Sequence, residues 1–124
     1  MKNVLLIFVG GGLGSLARYF LSRFINSSST SHFPFGTFVV NVTGCFLIGF
    51  IIFYTERYGS RADTWRLLLA TGLCGGFTTF STFSLENTQL LSDQHVVIFL
   101  VYTAGSIILG LLATYLGLLA GRAI

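Results

Sequence analysis

The residues best suited to chemistry lie in one run, Gly75-Gly76-Phe77-Thr78-Thr79-Phe80-Ser81-Thr82-Phe83-Ser84. Paired glycines weaken a helix by roughly 1 kcal/mol each. The hydroxyls that follow can take over freed backbone partners. The run therefore predicts a helix interruption between Gly75 and Thr79. An interruption exposes carbonyls that suit a cation and a new helix N-terminus that suits an anion. Phe80 and Phe83 are three apart and share a face of the resumed helix. Thr79 and Thr82 form a second row, and Ser81 and Ser84 a third. A benzene ring is positive at its edge, so two such edges can touch an anion without the strong hydrogen bonds that would trap it. Ordinary helix packing uses the same spacing.

Other polar residues stand in apolar surroundings. Asn41 opens Asn41-Val42-Thr43-Gly44. This is a glycosylation sequon on paper, but its apolar context rejects that reading. The amide either joins two helices or offers an N–H donor to a polar path. Tyr102 and Ser106 are four apart with Gly110 next on the stripe, which is either a hydroxyl ladder for an ion or interhelical glue. Thr103 and Thr114 are further polar positions with no assigned role. Arg18 follows Gly10-Gly11-Gly12 and Gly14-Ser15, and either snorkels to an interface or faces a wet vestibule. Gly10 and Gly14 form a GxxxG pair that admits a close neighbour. No strand precedes these glycines and no Lys follows, so a phosphate loop is a poor fit. Glu86 and Asp93 mark an interface. Cys45 and Cys74 lack metal or redox spacing and read as small buried hydrophobes. His32 and His95 are far apart in sequence, and no metal site is expected on them.

These residues need elements to position them, and charge placement defines the elements. The 124 residues are 53% apolar and only 9% charged, against about 25% charged in a soluble domain. A small globule with so few charges would not stay in water. Disorder is excluded by 13 Phe and the scarcity of charge. Charge is absent from 24–55, 67–85 and 94–121, and only Arg18 interrupts 3–22. A membrane span needs about 20 apolar residues. Four spans follow, at 3–25, 34–56, 65–91 and 95–120, in a single transmembrane domain covering 1–124. The first is too long for a signal peptide and lacks a cleavage site. Both termini and the 57–66 loop share one side, with Lys2, Arg57, Arg61, Arg66 and Arg122. Arg23, with or without Arg18, lies opposite, which favours cytoplasmic termini. This bias accounts for the net charge of +3, so nucleic acid is not invoked as a partner. No nucleophile–base pair or metal cluster appears, and the reading is non-enzymatic.

The chain resembles the Fluc (CrcB-type) fluoride channel family over nearly its whole length. The resemblance rests on the Gly10-Gly11…Gly14…Arg18-Tyr19 start, on Asn41-Val42-Thr43-Gly44, and on the Gly75-to-Ser84 run. It implies an all-α membrane protein with a broken third helix, working as an antiparallel, dual-topology homodimer in a bacterial inner membrane. Such a dimer has two fluoride-selective pores that let cytoplasmic fluoride leave. Carried over by position, Phe80 and Phe83 line the pore by their ring edges, and Ser81 and Thr82 accompany them. Asn41 supplies a pore amide, while Tyr102 and Ser106 begin a polar track. Arg18 and Glu86 belong to the vestibule. Backbone carbonyls of Gly75 and Thr78 hold a structural Na+ at the dimer centre. The chain departs from the family in two respects: Gly110 stands where the track often has a second serine, and the charge bias exceeds what dual insertion favours. Two rivals are weighed against this. A small proton-coupled multidrug exporter needs a carboxylate in the first span, which has none. A non-transporting assembly subunit would use the same glycines and hydroxyls for packing alone.

Overall fold

The structure is a computed structural model and describes residues 1–57 and 59–123. Four helical stretches are long and apolar enough to cross a membrane: Lys2–Ser27, Phe35–Glu56, Ala62–Ser92 and Val96–Ala123. No strand occurs among the described residues. The expected span ends lie within about three residues of the observed ones, the normal uncertainty of a helix end. We label Lys2–Ser27 α1, Phe35–Glu56 α2 and Val96–Ala123 α6. The third span is assembled from pieces. It begins as α3 (Ala62–Trp65), widens to a π-helix over Arg66–Cys74, tightens to α4 (Gly75–Phe77), breaks, and resumes as α5 (Phe80–Ser92).

The break falls at the far end of the expected Gly75-to-Thr79 interval, past both glycines. Gly75 and Gly76 stay helical, and the chain extends at Thr78 (φ −84°, ψ 158°) and Thr79 (φ −149°, ψ 118°). Packing explains the shift. Gly76 lies on the backbone of Gly11 in α1, where any Cβ would overlap the Gly11 carbonyl. Gly76 makes that contact from within a helix, and the interruption falls just beyond it, where Thr79 caps the resumed helix. The π-helical stretch was not foreseen, since widening by one residue leaves no composition signal.

Two glycine seams hold the bundle. In the first, Gly10 and Gly14 of α1 meet the π segment, where added Cβ atoms would strike the carbonyls of Leu68 and Leu73. The GxxxG expectation is thus realised within the chain. In the second, Gly49 of α2 faces the carbonyl of Thr114, while Gly117 and Gly121 of α6 face those of Phe46 and Phe50. Helices α2 and α6 form the most extensive pair. At the α1–α2 turn, Gly36 N–H donates to Asn26 Oδ1 at 3.0 Å, in space a side chain would fill.

Tyr102, Val40, Thr55 and Cys74 are the largest fully buried side chains among the described residues, while Phe8, Leu13, Phe24 and Leu111 are among many exposed apolar residues. Such a surface is at home in hydrocarbon. One end of the bundle carries most of the basic residues. There Arg57 donates to the Arg122 carbonyl at 3.1 Å, and Arg66 pairs with Glu56 at 3.2 Å.

The seams give a direct expectation. Gly117→Leu forces α2 and α6 apart and costs about 1–3 kcal/mol by overpacking. Gly12→Ala meets no atom within 4 Å and raises stability by about 0.5–1 kcal/mol through helix propensity. Thermal unfolding in detergent, followed by helical circular dichroism, checks both.

Candidate ion path

The break is held by one side chain. Thr79 N–H donates to Asn41 Oδ1 at 2.8 Å, and Asn41 Nδ2 donates to the Thr79 carbonyl at 3.0 Å. Thr79 also caps α5, its Oγ1 accepting from Thr82 N–H at 3.2 Å. Thr79 Oγ1 lies 3.0 Å from Thr82 Oγ1 and 3.3 Å from Ser81 Oγ. Thr78 N–H and Oγ1–H both donate to the Cys74 carbonyl at 3.0 Å. Asn41 therefore serves first as the joint between α2 and the third span, with one amide N–H left over.

This rerouting frees two carbonyls. In a continuous helix Gly75 O would accept from Thr79 N–H, and Thr78 O from Thr82 N–H. Both donors are instead committed to side chains, Asn41 and Thr79. Gly75 and Thr78 line the same groove of about 420 Å³, together with Asn41, Cys45, Cys74 and Phe80. Two freed oxygens on one groove are a donor set that fits a hard monovalent cation.

A second constellation runs from α5 to α6. The Phe80 and Phe83 rings lie 5.8 Å apart, and Phe83 lies 5.0 Å from the fully buried Tyr102. Phe33 continues the row 5.4 Å from Tyr102, edge-on at 74°. Phe83 is half-buried, whereas Phe80 is 79% exposed at the edge of the groove. Tyr102 O–H donates to Glu86 Oε2 at 2.7 Å, and Thr37 O–H donates to Glu86 Oε1 at 2.7 Å. Glu86, expected at an interface or vestibule, is bound into the row beside Tyr102. One turn further on α6, the Ser106 hydroxyl is buried with no hydrogen-bond partner. Ser81 is exposed and Thr82 half-buried at the start of α5. Arg18 is half-buried on α1 and joins none of these hydrogen bonds.

Several participants were not singled out beforehand. Thr37 lies four residues before Asn41, a helical spacing that places both on one face of α2. Thr103, left without a role, donates to Asn87 Oδ1 at 2.8 Å, and Asn87 Nδ2 donates to the Phe83 carbonyl at 2.9 Å. This strut ties the turn carrying Phe83 to α6. Thr114 folds back on the Gly110 carbonyl at 3.0 Å. Gly110 faces Cys45 of α2, so no hydroxyl extends the row there. His32 and His95, far apart in sequence, are also brought together, with ring centres 4.3 Å apart.

The fold and site define a class: a small multi-pass helical membrane protein with an interrupted span and a ring-and-hydroxyl row beside it. The family model described as "CrcB-like protein, Camphor Resistance (CrcB)" matches residues 5–118, and the chain belongs to that family. It is 51% identical over 118 residues to the fluoride-specific ion channel FluC of Phocaeicola vulgatus, covering 95% of this chain and 97% of that one. It is 44% identical over 122 residues to the FluC of Flavobacterium psychrophilum, covering 98% of each. The FluC of Oceanobacillus iheyensis is 45% identical over 117 residues, covering 94% of this chain and 89% of its own.

The joint predicts its own failure. Asn41→Leu leaves the Thr79 N–H and C=O unpaired in the membrane, at about 1–3 kcal/mol for each group. Thr103→Val breaks the strut, and Thr103→Ser restores it. Unfolding midpoints in a detergent titration are expected to rank wild type and Thr103→Ser above Thr103→Val, with Asn41→Leu lowest.

Proposed function

We propose that this chain is a fluoride-selective channel of the bacterial inner membrane, through which cytoplasmic fluoride leaves the cell. The observation that carries the reading is the buried Ser106 hydroxyl, unpartnered beside the Phe83–Tyr102 row. An unsatisfied polar group inside a bilayer costs several kcal/mol. A protein that retains one has a use for the donor. An ion lacking its own donors, passing along the row, is that use.

Fluoride is small and strongly hydrated, so stripping its water is costly. A path must return part of that hydration and still release the ion. Ser106 and the remaining N–H of Asn41 are free to donate. Tyr102 adds a hydroxyl already engaged with Glu86. The rims of Phe80 and Phe83 supply weak positive contacts between donors, where Lys or Arg would hold the ion. Ser81 and Thr82 offer hydroxyls near the start of α5. Arg18 raises anion concentration at a vestibule, and Glu86 orients the hydroxyls of Thr37 and Tyr102.

The working unit is an antiparallel homodimer with two pores, each chain one four-helix domain. Exposure of Phe80 beside an open groove and the scarcity of fully buried residues support it. One chain is too thin to enclose a path. At the dimer centre the freed carbonyls of Gly75 and Thr78 from both copies would hold a structural Na+, which fixes the two breaks against each other. The chemistry is passive transport, not catalysis.

Reconstituted into liposomes and followed with a fluoride electrode, the wild-type chain is expected to release fluoride and retain chloride. Phe80→Ile and Phe83→Ile are expected to abolish release while the protein still assembles. Ser106→Ala removes one donor and slows release about tenfold, the equivalent of one hydrogen bond of about 1.4 kcal/mol. Proton-coupled cation movement would instead indicate an exporter. Folded protein with no flux would indicate an assembly subunit.

A further inference from the structure

The two short loops at one end of the bundle converge on a pair of imidazoles that the ion path does not use. His32 lies between α1 and α2, and His95 immediately precedes α6. Their ring centres are 4.3 Å apart and their planes are tilted by 47°.

Each ring is set by its own backbone. Residue Gln94 takes the left-handed conformation at φ 60°. Beside it, His95 N–H donates to the Leu90 carbonyl at 2.8 Å and Gln94 N–H to the Leu91 carbonyl at 3.2 Å. This is the Schellman arrangement that ends a helix in one defined direction. His95 then starts α6, its carbonyl accepting from Phe99 N–H at 3.0 Å. On the other loop, Ser31 N–H donates to Ser29 Oγ at 3.3 Å and Phe33 N–H to Ser31 Oγ at 3.1 Å, which brackets His32. The next residue, Phe33, packs on Phe38 and Tyr102.

From this geometry we propose that His32 and His95 bind one borderline divalent transition-metal ion, which cross-links the two loops. Neutral imidazole is a ligand suited to Zn²⁺, Ni²⁺ and Cu²⁺. With metal–nitrogen bonds of about 2.0–2.1 Å and an angle of about 90–110°, two imidazoles on one ion hold their ring centres about 4.5–5.2 Å apart. The observed 4.3 Å lies within a few tenths of an ångström of that range. His32 is exposed and His95 half-buried, so an ion can enter and water can complete its coordination. The inference is independent of fluoride passage, because it concerns a site outside the ring-and-hydroxyl row.

The test uses the full chain, tag-free, in detergent, titrated calorimetrically with the chlorides of Cu²⁺, Ni²⁺, Zn²⁺ and Mn²⁺. One ion per chain is expected, with Cu²⁺ tightest and Mn²⁺ weakest. His32→Ala and His95→Ala are each expected to weaken Ni²⁺ binding at least about tenfold. Wild-type melting temperature should rise with Zn²⁺ and return on adding a chelator, a readout that needs no variant. His32→Gln, which keeps a polar loop residue, controls for folding through its metal-free melting curve. Equal binding by wild type and both alanine variants overturns the site. So does sensitivity to only one of the two histidines, or a melting temperature unmoved by Zn²⁺.

Discussion

A bilayer offers no water to an unpaired peptide group, and that constraint governs the third span. The chain stops being helical at Thr78 and Thr79, and every backbone group so released near the joint must find a partner. One carboxamide supplies two of them, because Asn41 has an acceptor and a donor on the same planar group and Thr79 presents the complementary pair. Thr79 supplies the next, capping α5 with its own hydroxyl. The consequences follow in order. The carbonyls of Gly75 and Thr78 lose their helical donors, and both residues line the groove. Helix α5 starts afresh, and that start sets where Phe80 and Phe83 stand. Without the clamp neither the carbonyl pair nor the ring row has a defined position.

The glycine seams solve a different problem. Hydrocarbon gives apolar side chains no reason to leave it, so helices in a bilayer associate through close backbone packing. Gly10, Gly14, Gly49 and Gly117 bring helix axes together at the expense of a side-chain core. The result is a thin bundle with few fully buried residues and broad apolar faces. That thinness gives the proposed second copy its physical reason. In that proposal the open groove, with Phe80 exposed beside it, is closed by a second copy rather than by further helices.

How much of this was readable in the sequence differs by feature. The spans were, because a long absence of charge has one explanation in a chain this apolar. The GxxxG pair and the break were readable in kind. Their details were tertiary. Gly76 stays helical because Gly11 presses on it, and no local pattern encodes that neighbour. The polar residues were harder. Asn41, Tyr102 and Ser106 were identified by type, but whether a donor is free depends on who faces it. Asn41 pairs with Thr79 and Tyr102 with Glu86, while the Ser106 hydroxyl has no hydrogen-bond partner among the described residues. Glu86 looked like a residue marking the end of a span, and only the fold reveals it between Thr37 and Tyr102. The histidine pair joins two loops remote in sequence, so spacing carried no trace of it.

The placement of Glu86 sharpens the argument about weak binding. A carboxylate beside a proposed anion path is repulsive unless its charge is absorbed locally. Here both oxygens accept short hydrogen bonds, from Thr37 and Tyr102. Those charge-assisted bonds are stronger than neutral ones. They hold the two hydroxyl protons on the carboxylate side, and a passing halide must compete for them. The same bonds spread the carboxylate's charge and fix the Tyr102 ring against Phe83. A row built this way offers an anion polarised rims and a hydroxyl such as Ser106, while its strongest donors stay engaged elsewhere. An ion that meets only partial attraction at each step has no deep well in which to stop.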